Sequence, residues 1–113
     1  MERDDTVYLG HMLDTARKAV EKVKSKTRAD FDADEDLRMV LTHCVQIIGE
    51  AASRVSQSTR AAHRHVPWKQ IVGMRHRIVP DYMDIDEDIL REVATRSLPE
   101  LIGMLSPVVP TEE

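Results

Sequence analysis

The segment "GMRHRIVPDYMDID", residues 73 to 86, places Arg75, His76, Arg77 and Tyr82 within about two helical turns of one another, with Pro80 among them. These are side chains that handle phosphates and protons. A guanidinium stays charged at any physiological pH and grips phosphate through paired hydrogen bonds. An imidazole is the side-chain type that exchanges its proton near neutrality. On a 3.6-residue period Arg75, Val79 and Tyr82 fall near one face, and His76 lies one turn before position 80 on the adjacent edge. Arg, His and Tyr are thus spaced to converge on one phosphate.

The charge around this segment is uneven. The chain carries a net charge of -4, which argues against indiscriminate binding of nucleic acid. Residues 51 to 80, however, hold Arg54, Arg60, Arg64, Lys69, Arg75 and Arg77 with His63, His65 and His76, and all 20 acidic residues lie outside that window. A local basic surface on an acidic protein is what a site for a polyanion needs. A solvated helix face with counter-charges folded against it is the plainer reading.

Helices must position these groups. At 113 residues the chain is expected to form one domain, 1–113, with a single core. Apolar residues at 42% and charged residues at 32% suit a folded protein, but aromatics are only 4%, so the core must be packed from Leu, Ile, Val, Ala and Met. Leu9, Leu13, Ala16, Val20 and Val23 recur at three- and four-residue steps and predict a helix from about Asp5 to Val23. Asp32 and Glu35 have the spacing of a capping box for a second helix, about 34 to 56. Its apolar residues Leu37, Val40, Leu41, Cys44, Ile47, Ile48, Ala51 and Val55 form a stripe wide enough to be buried between neighbours. A short helical turn is expected around 59 to 64. Pro67 suits a first helical position before "WKQIVGMRHRIV", in which Trp68, Ile71, Val72, Arg75, Ile78 and Val79 share a side. A last helix opens at Asp84 and Glu87 and runs to Leu105, kinked or restarted at Pro99. No strand alternation and no internal repeat appears. The expected fold is all-α: an antiparallel four-helix bundle with an additional short helix.

The sequence points to neither membrane nor metal. No apolar run reaches the 18 residues of a membrane span, and "MERDDTVYLG" opens with charges rather than a signal peptide's apolar stretch, so a cytoplasmic location is expected. The lone Cys44 reads as an inert buried thiol. His43 beside it has no companions to complete a tetrahedral metal site, and no cofactor is implied. His63 and His65 read as loop residues.

The stretches "IIGEAASRVS", "VPWKQIVGMRHRIVPDYMDID" and "SLPELI" resemble, in order and spacing over nearly the whole chain, signatures of HEPN-domain proteins of the HepT-like (DUF86) group. The resemblance implies a small all-helical domain that forms a homodimer. It implies the toxin of a toxin–antitoxin pair whose partner is a minimal nucleotidyltransferase of the MNT type, and a metal-independent endoribonuclease acting on RNA such as tRNA or mRNA. The family motif is an Arg followed at once by a polar residue, then three variable positions, then His, any residue and Tyr. Arg75, His76 and Tyr82 match the Arg, the polar residue and the Tyr; Pro80 occupies the position of the motif His. In some relatives the nucleotidyltransferase transfers AMP onto the Tyr, which makes Tyr82 the modification candidate by this resemblance; a ring packed at the bundle edge is the plainer alternative.

Pro80 bears on the chemistry. Metal-free RNA cleavage needs a base for the ribose 2′-hydroxyl proton and a cation for the developing phosphorane. Arg75 meets the second need and proline meets neither. Losing one general acid or base typically costs a factor of about 100 to 10,000 in rate. His76, roughly 5–6 Å away along one helical turn, is the candidate replacement. Pro80 should also end or bend its helix between about 78 and 81. Glu50 interrupts an apolar stripe and has three readings: orienting Arg75, joining a dimer contact, or lying on the helix surface. Three functions stay open: a HepT-like RNase using Arg75 and His76, a catalytically degenerate dimer that binds RNA or a nucleotidyltransferase without cutting, and a generic helical interaction module. The last leaves the acid-free window to chance.

Overall fold

The computed structural model describes residues 4–80 and 84–110. Four helical rods make the molecule. The first is α1, Asp5–Val23, and the second is α3, Glu35–Arg54, joined through the short α2, Arg28–Ala33. After α4, Gln57–Ala62, the third rod consists of α5, Trp68–Val72, and α6, Met74–Ile78. The fourth runs from α7, Glu87–Glu92, through a π-helical turn, Val93–Ser97, into α8, Leu98–Leu105. No strand occurs among the described residues, and no helix is long and apolar enough to cross a membrane.

Side-chain caps fix where the helices start. The carboxylates of Asp4, Asp34 and Asp86 accept from the amides of Thr6, Leu37 and Ile89, and Thr27 with Asp30 forms a reciprocal box at α2. Each satisfies amides that the first helical turn leaves without partners. The expected Asp32–Glu35 box is therefore corrected: Asp34 caps α3, because a separate helix, unforeseen in the sequence, occupies 28–33. The last helix likewise starts from Asp86 and not Asp84, and Pro67 is the residue before α5, not its first. The short helical turn expected at 59–64 forms as the helix 57–62, two residues earlier.

Three tethers relate the first, second and fourth rods. Asp5, at the start of α1, accepts from the amide of Ser56, just past the end of α3. Arg28 and Arg38, at the α2–α3 end, pair with Asp88 and Glu87 at the start of α7. Arg17 donates to Ser106 just beyond α8 at 3.3 Å. Buried residues of all four rods, among them Met12, Ala16, Leu41, Ile48, Ile78, Leu90, Leu98 and Leu105, form one apolar cluster. Truncating one such Leu or Ile to Ala costs about 2–5 kcal/mol.

Two irregularities position the third and fourth rods. A Cβ at Gly49 would stand 3.3 Å from the Ile71 carbonyl oxygen and 3.5 Å from that of Val72, so glycine is what lets α5 lie this close to α3. The expected single helix 68–79 is interrupted at Gly73, and α6 ends at Ile78, within the window set by Pro80. In the fourth rod Pro99, the second residue of α8, has no amide to continue the ladder, and the turn before it widens so that the Leu98 amide reaches the Val93 carbonyl.

Candidate functional site

Arg75 and His76 lie in α6 with exposed side chains. The α5–α6 rod runs antiparallel to α3, since Ile71 faces Gly49 while Ile78, at the far end, accepts from the Asp86 amide beside the Glu87–Arg38 pair. Four residues past Ile71, Arg75 therefore stands at about the height of Val45 on α3. Trp68, Ile71, Met74 and Ile78 turn into the core. The two edges left are chemically distinct. Gln70 and Arg77 line a cleft of about 180 Å³ shared with Glu100 and Met104 of α8. Lys69 and Val72 line a separate cleft against α4. Arg75, three residues after Val72, belongs to the second edge, the one away from α8.

The exposed side of α3 is unexpectedly apolar. Met39, Val40 and Ile47 are 59%, 40% and 36% exposed, and Val72 on the neighbouring rod is 38% exposed. Val40, Ile47 and Val72 were expected in buried stripes; Val40 and Ile47 lie on the border of the α3 stripe that no other rod covers. Asp36, Val40, His43, Ile47, Glu50 and Arg54, all exposed, alternate at four- and three-residue steps, the spacing of a helix–helix seam. The sequence did carry this signal: the apolar stripe of α3 is wider than one buried face requires.

Among the described residues no carboxylate pairs with a cation of residues 51–80: the ion pairs are Arg28 with Asp32 and Asp88, and Arg38 with Glu87. Glu50 is exposed on α3 and forms no ion pair with Arg75, so the orienting contact weighed for it is not made in the monomer. Pro80 is exposed two residues beyond α6. Tyr82 lies outside the described residues, and α6 stops at Ile78. His63 and His65 sit in the α4–α5 connection, rings edge to face at 6.1 Å. Cys44 is buried, and burial pushes its thiol up, only partly opposed by Lys22 and Lys18, which keeps it protonated and unreactive. The described residues contain no cluster of His, Cys, Asp and Glu able to hold a metal ion. What the arrangement offers is a free guanidinium and an imidazole on adjacent residues, beside an uncovered apolar seam.

Known proteins resemble this chain in sequence. A family model described as Ribonuclease HepT-like matches residues 12–108. "Putative RNase TTE0752" of Caldanaerobacter subterraneus is 31% identical over 94% of this chain and 95% of its own length. "Gamma-glutamylcyclotransferase and putative RNase MJ0434" of Methanocaldococcus jannaschii is 31% identical over 89% of this chain, which spans 46% of that protein. "Probable ribonuclease HepT" of Thermococcus cleftensis is 25% identical over 80% of this chain and 86% of its own. No solved structure matches the chain. This chain belongs to the ribonuclease HepT-like family.

Proposed function

We propose that this chain is a HepT-like endoribonuclease that works as an isologous dimer, with Arg75 stabilising the scissile phosphate and His76 taking the proton that the motif histidine takes in its relatives. The observation that carries this reading is the exposed, unpaired Arg75 on an edge continuous with the uncovered face of α3. In the reaction the ribose 2′-oxygen attacks phosphorus and loses its proton to His76. The bond to the 5′-oxygen breaks, and that oxygen takes a proton from water. The products are a 2′,3′-cyclic phosphate and a 5′-hydroxyl, and the imidazolium returns its proton to the hydroxide left behind. Arg75 acts where negative charge accumulates on the phosphorane. Pro80 supplies no proton acceptor, so the reaction is slow.

The seam supports the dimer. Asp36 and Arg54, Val40 and Glu50, and His43 and Ile47 are placed equally on either side of the height of Val45. An antiparallel pairing of α3 with its copy about that height sets acid against base at both ends and covers the apolar centre. Arg75 stands at that same height, so the twofold axis brings two Arg75 sites onto one groove.

The toxin–antitoxin role belongs to the same proposal: a minimal nucleotidyltransferase as partner, with AMP placed on Tyr82, whose added bulk and negative charge repel RNA. A mass gain of one adenylyl group on incubation with that partner and ATP, absent in Tyr82→Phe, is the expected result.

The test of the enzyme is cleavage of tRNA by the purified dimer in EDTA. Slow cleavage abolished by Arg75→Ala and by His76→Ala supports it. No cleavage until Pro80→His is introduced moves the assignment to an RNA-binding dimer that does not cut, the reading Pro80 itself favours. Neither cutting nor binding by Pro80→His ends both.

A further inference from the structure

We propose that the open cleft between α4 and α5 is a second RNA subsite, which holds a backbone phosphate of the single strand flanking the nucleotide at Arg75. This rests on the ribonuclease reading and assigns residues that the family motif does not include. The cleft, about 500 Å³, is lined by Gln57, Arg60, Ala61, Trp68, Lys69 and Val72. Its charged members are two cations, and its lining holds no carboxylate.

Arg60 is fixed in place without being neutralised. One terminal nitrogen donates to the Ala52 carbonyl oxygen at 2.8 Å, which anchors the half-buried side chain to the last turn of α3. Its Nε is buried with no hydrogen-bond partner, and no carboxylate pairs with it among the described residues. A guanidinium held rigidly, with donors left over, loses little freedom when an anion arrives. Lys69, exposed on the opposite wall, supplies a mobile point charge. Trp68 is also held, its indole nitrogen donating to the His63 carbonyl oxygen at 3.0 Å, so the apolar floor is preformed for a sugar or base edge.

Geometry ties the cleft to Arg75. Lys69 and Val72 lie on the rod that carries Arg75. Six residues separate Lys69 from Arg75, about 9 Å along a helix axis and about a third of a turn around it, a span that two to three nucleotides stacked at about 3.4 Å cover. A strand gripped at Arg75 therefore reaches the cleft by winding partly round the rod. Single-stranded RNA, with a phosphate at every step, matches cations spread over such a path better than a compact anion does.

Binding of a labelled, non-cleavable (2′-O-methyl) single strand, measured by fluorescence anisotropy against salt, tests the assignment with Lys69→Gln, Arg60→Gln and Arg75→Ala side by side. Lys69→Gln is the primary variant; Arg60→Gln is read only where circular dichroism shows retained helix, since Arg60 also anchors α3. The expected result is a roughly threefold to tenfold loss of affinity for Lys69→Gln, with the slope of log affinity against log salt reduced by about 0.7. If Arg75→Ala weakens binding and Lys69→Gln does not, the cleft assignment is overturned while the ribonuclease reading stands. If Lys69→Gln weakens binding and Arg75→Ala does not, the role of Arg75 falls and the cleft remains an RNA site. Loss of the dimer in Lys69→Gln, with RNA affinity intact, makes the cleft a protein contact and overturns the assignment. No binding by the unaltered chain overturns both.

Discussion

Two regions of this molecule handle charge in opposite ways. Where α2 and the starts of α3 and α7 meet, charges answer one another: Arg28 bonds Asp32 and Asp88, and Arg38 holds Glu87 together with the carbonyl oxygens of Phe31 and Asp32. Along residues 51–80 the cations find no carboxylate among the described residues. Even the acid that reaches α4, Asp5, is bound by the hydroxyls of Ser56 and Thr59 and not by a cation. Mutually compensated charges fix the geometry of a chain end and project little field. Uncompensated ones leave a positive potential around them for a polyanion although the net charge is negative.

Five measurements break or sharpen that contrast. The largest effect is expected from Pro80→His, which restores a general base in the basic region and should raise the rate of RNA cleavage in EDTA by about 100- to 10,000-fold. An unchanged rate would place the limitation elsewhere than at position 80. Next, Arg75→Ala should lower cleavage by about 100- to 1,000-fold, whereas Arg28→Ala, which breaks the exposed pairs of the compensated region, should leave cleavage unchanged and thermal stability nearly so. Equal losses of activity in the two variants would erase the distinction between the regions. Third, Ile47→Asp on the uncovered face of α3 should weaken dimerisation at least about tenfold, or 1.4 kcal/mol, read by sedimentation; a monomeric wild-type chain removes the seam argument.

The fourth concerns the close approach that carries α5–α6. Gly49→Val forces side-chain atoms against the carbonyls of Ile71 and Val72, and should destabilise the fold by about 1–3 kcal/mol. Gly10→Ala, with nothing near the added Cβ, should instead stabilise α1 by roughly 0.5–1 kcal/mol. Thermal denaturation of the pair checks both signs. The smallest effect is a pH dependence. Hydrogen bonds from the Ser56 and Thr59 hydroxyls, with the Ser56 amide, hold the Asp5 carboxyl below its usual range against a smaller opposing effect of burial. A lowered folded pKa contributes stability that is present above the unfolded value of about 3.9 and is lost as pH falls through the folded one. Asp5→Asn should therefore flatten the acid limb of the stability curve below about pH 4, seen in urea melts; an unaltered limb means these bonds are not coupled to folding.

The helical content was legible because it is local. Leu9, Leu13, Ala16 and Val23 announce α1 at its observed ends, and Pro80 sets the end of α6 through its own ring. The family was legible too, in the order and spacing of "IIGEAASRVS", "VPWKQIVGMRHRIVPDYMDID" and "SLPELI". Caps were less so. Asp32, Asp34 and Asp36 are chemically alike, and which one closes α3 depends on whether the preceding residues coil into α2, a competition that spacing does not resolve. The break at Gly73 was likewise hidden, because glycine inside an amphipathic pattern is compatible with continuation or interruption.

By itself the sequence determined the element types, the placement of every acid outside 51–80 and the family, since periodicity, composition and motif order are properties of the chain. Only the tertiary structure decided that Val40, Ile47 and Val72 stay uncovered, that Arg60 is anchored yet unneutralised, and that Arg75 stands level with the middle of the α3 seam. Burial and charge compensation depend on which surfaces other rods reach. Four rods around one core leave the outer side of α3 without a neighbour in the monomer.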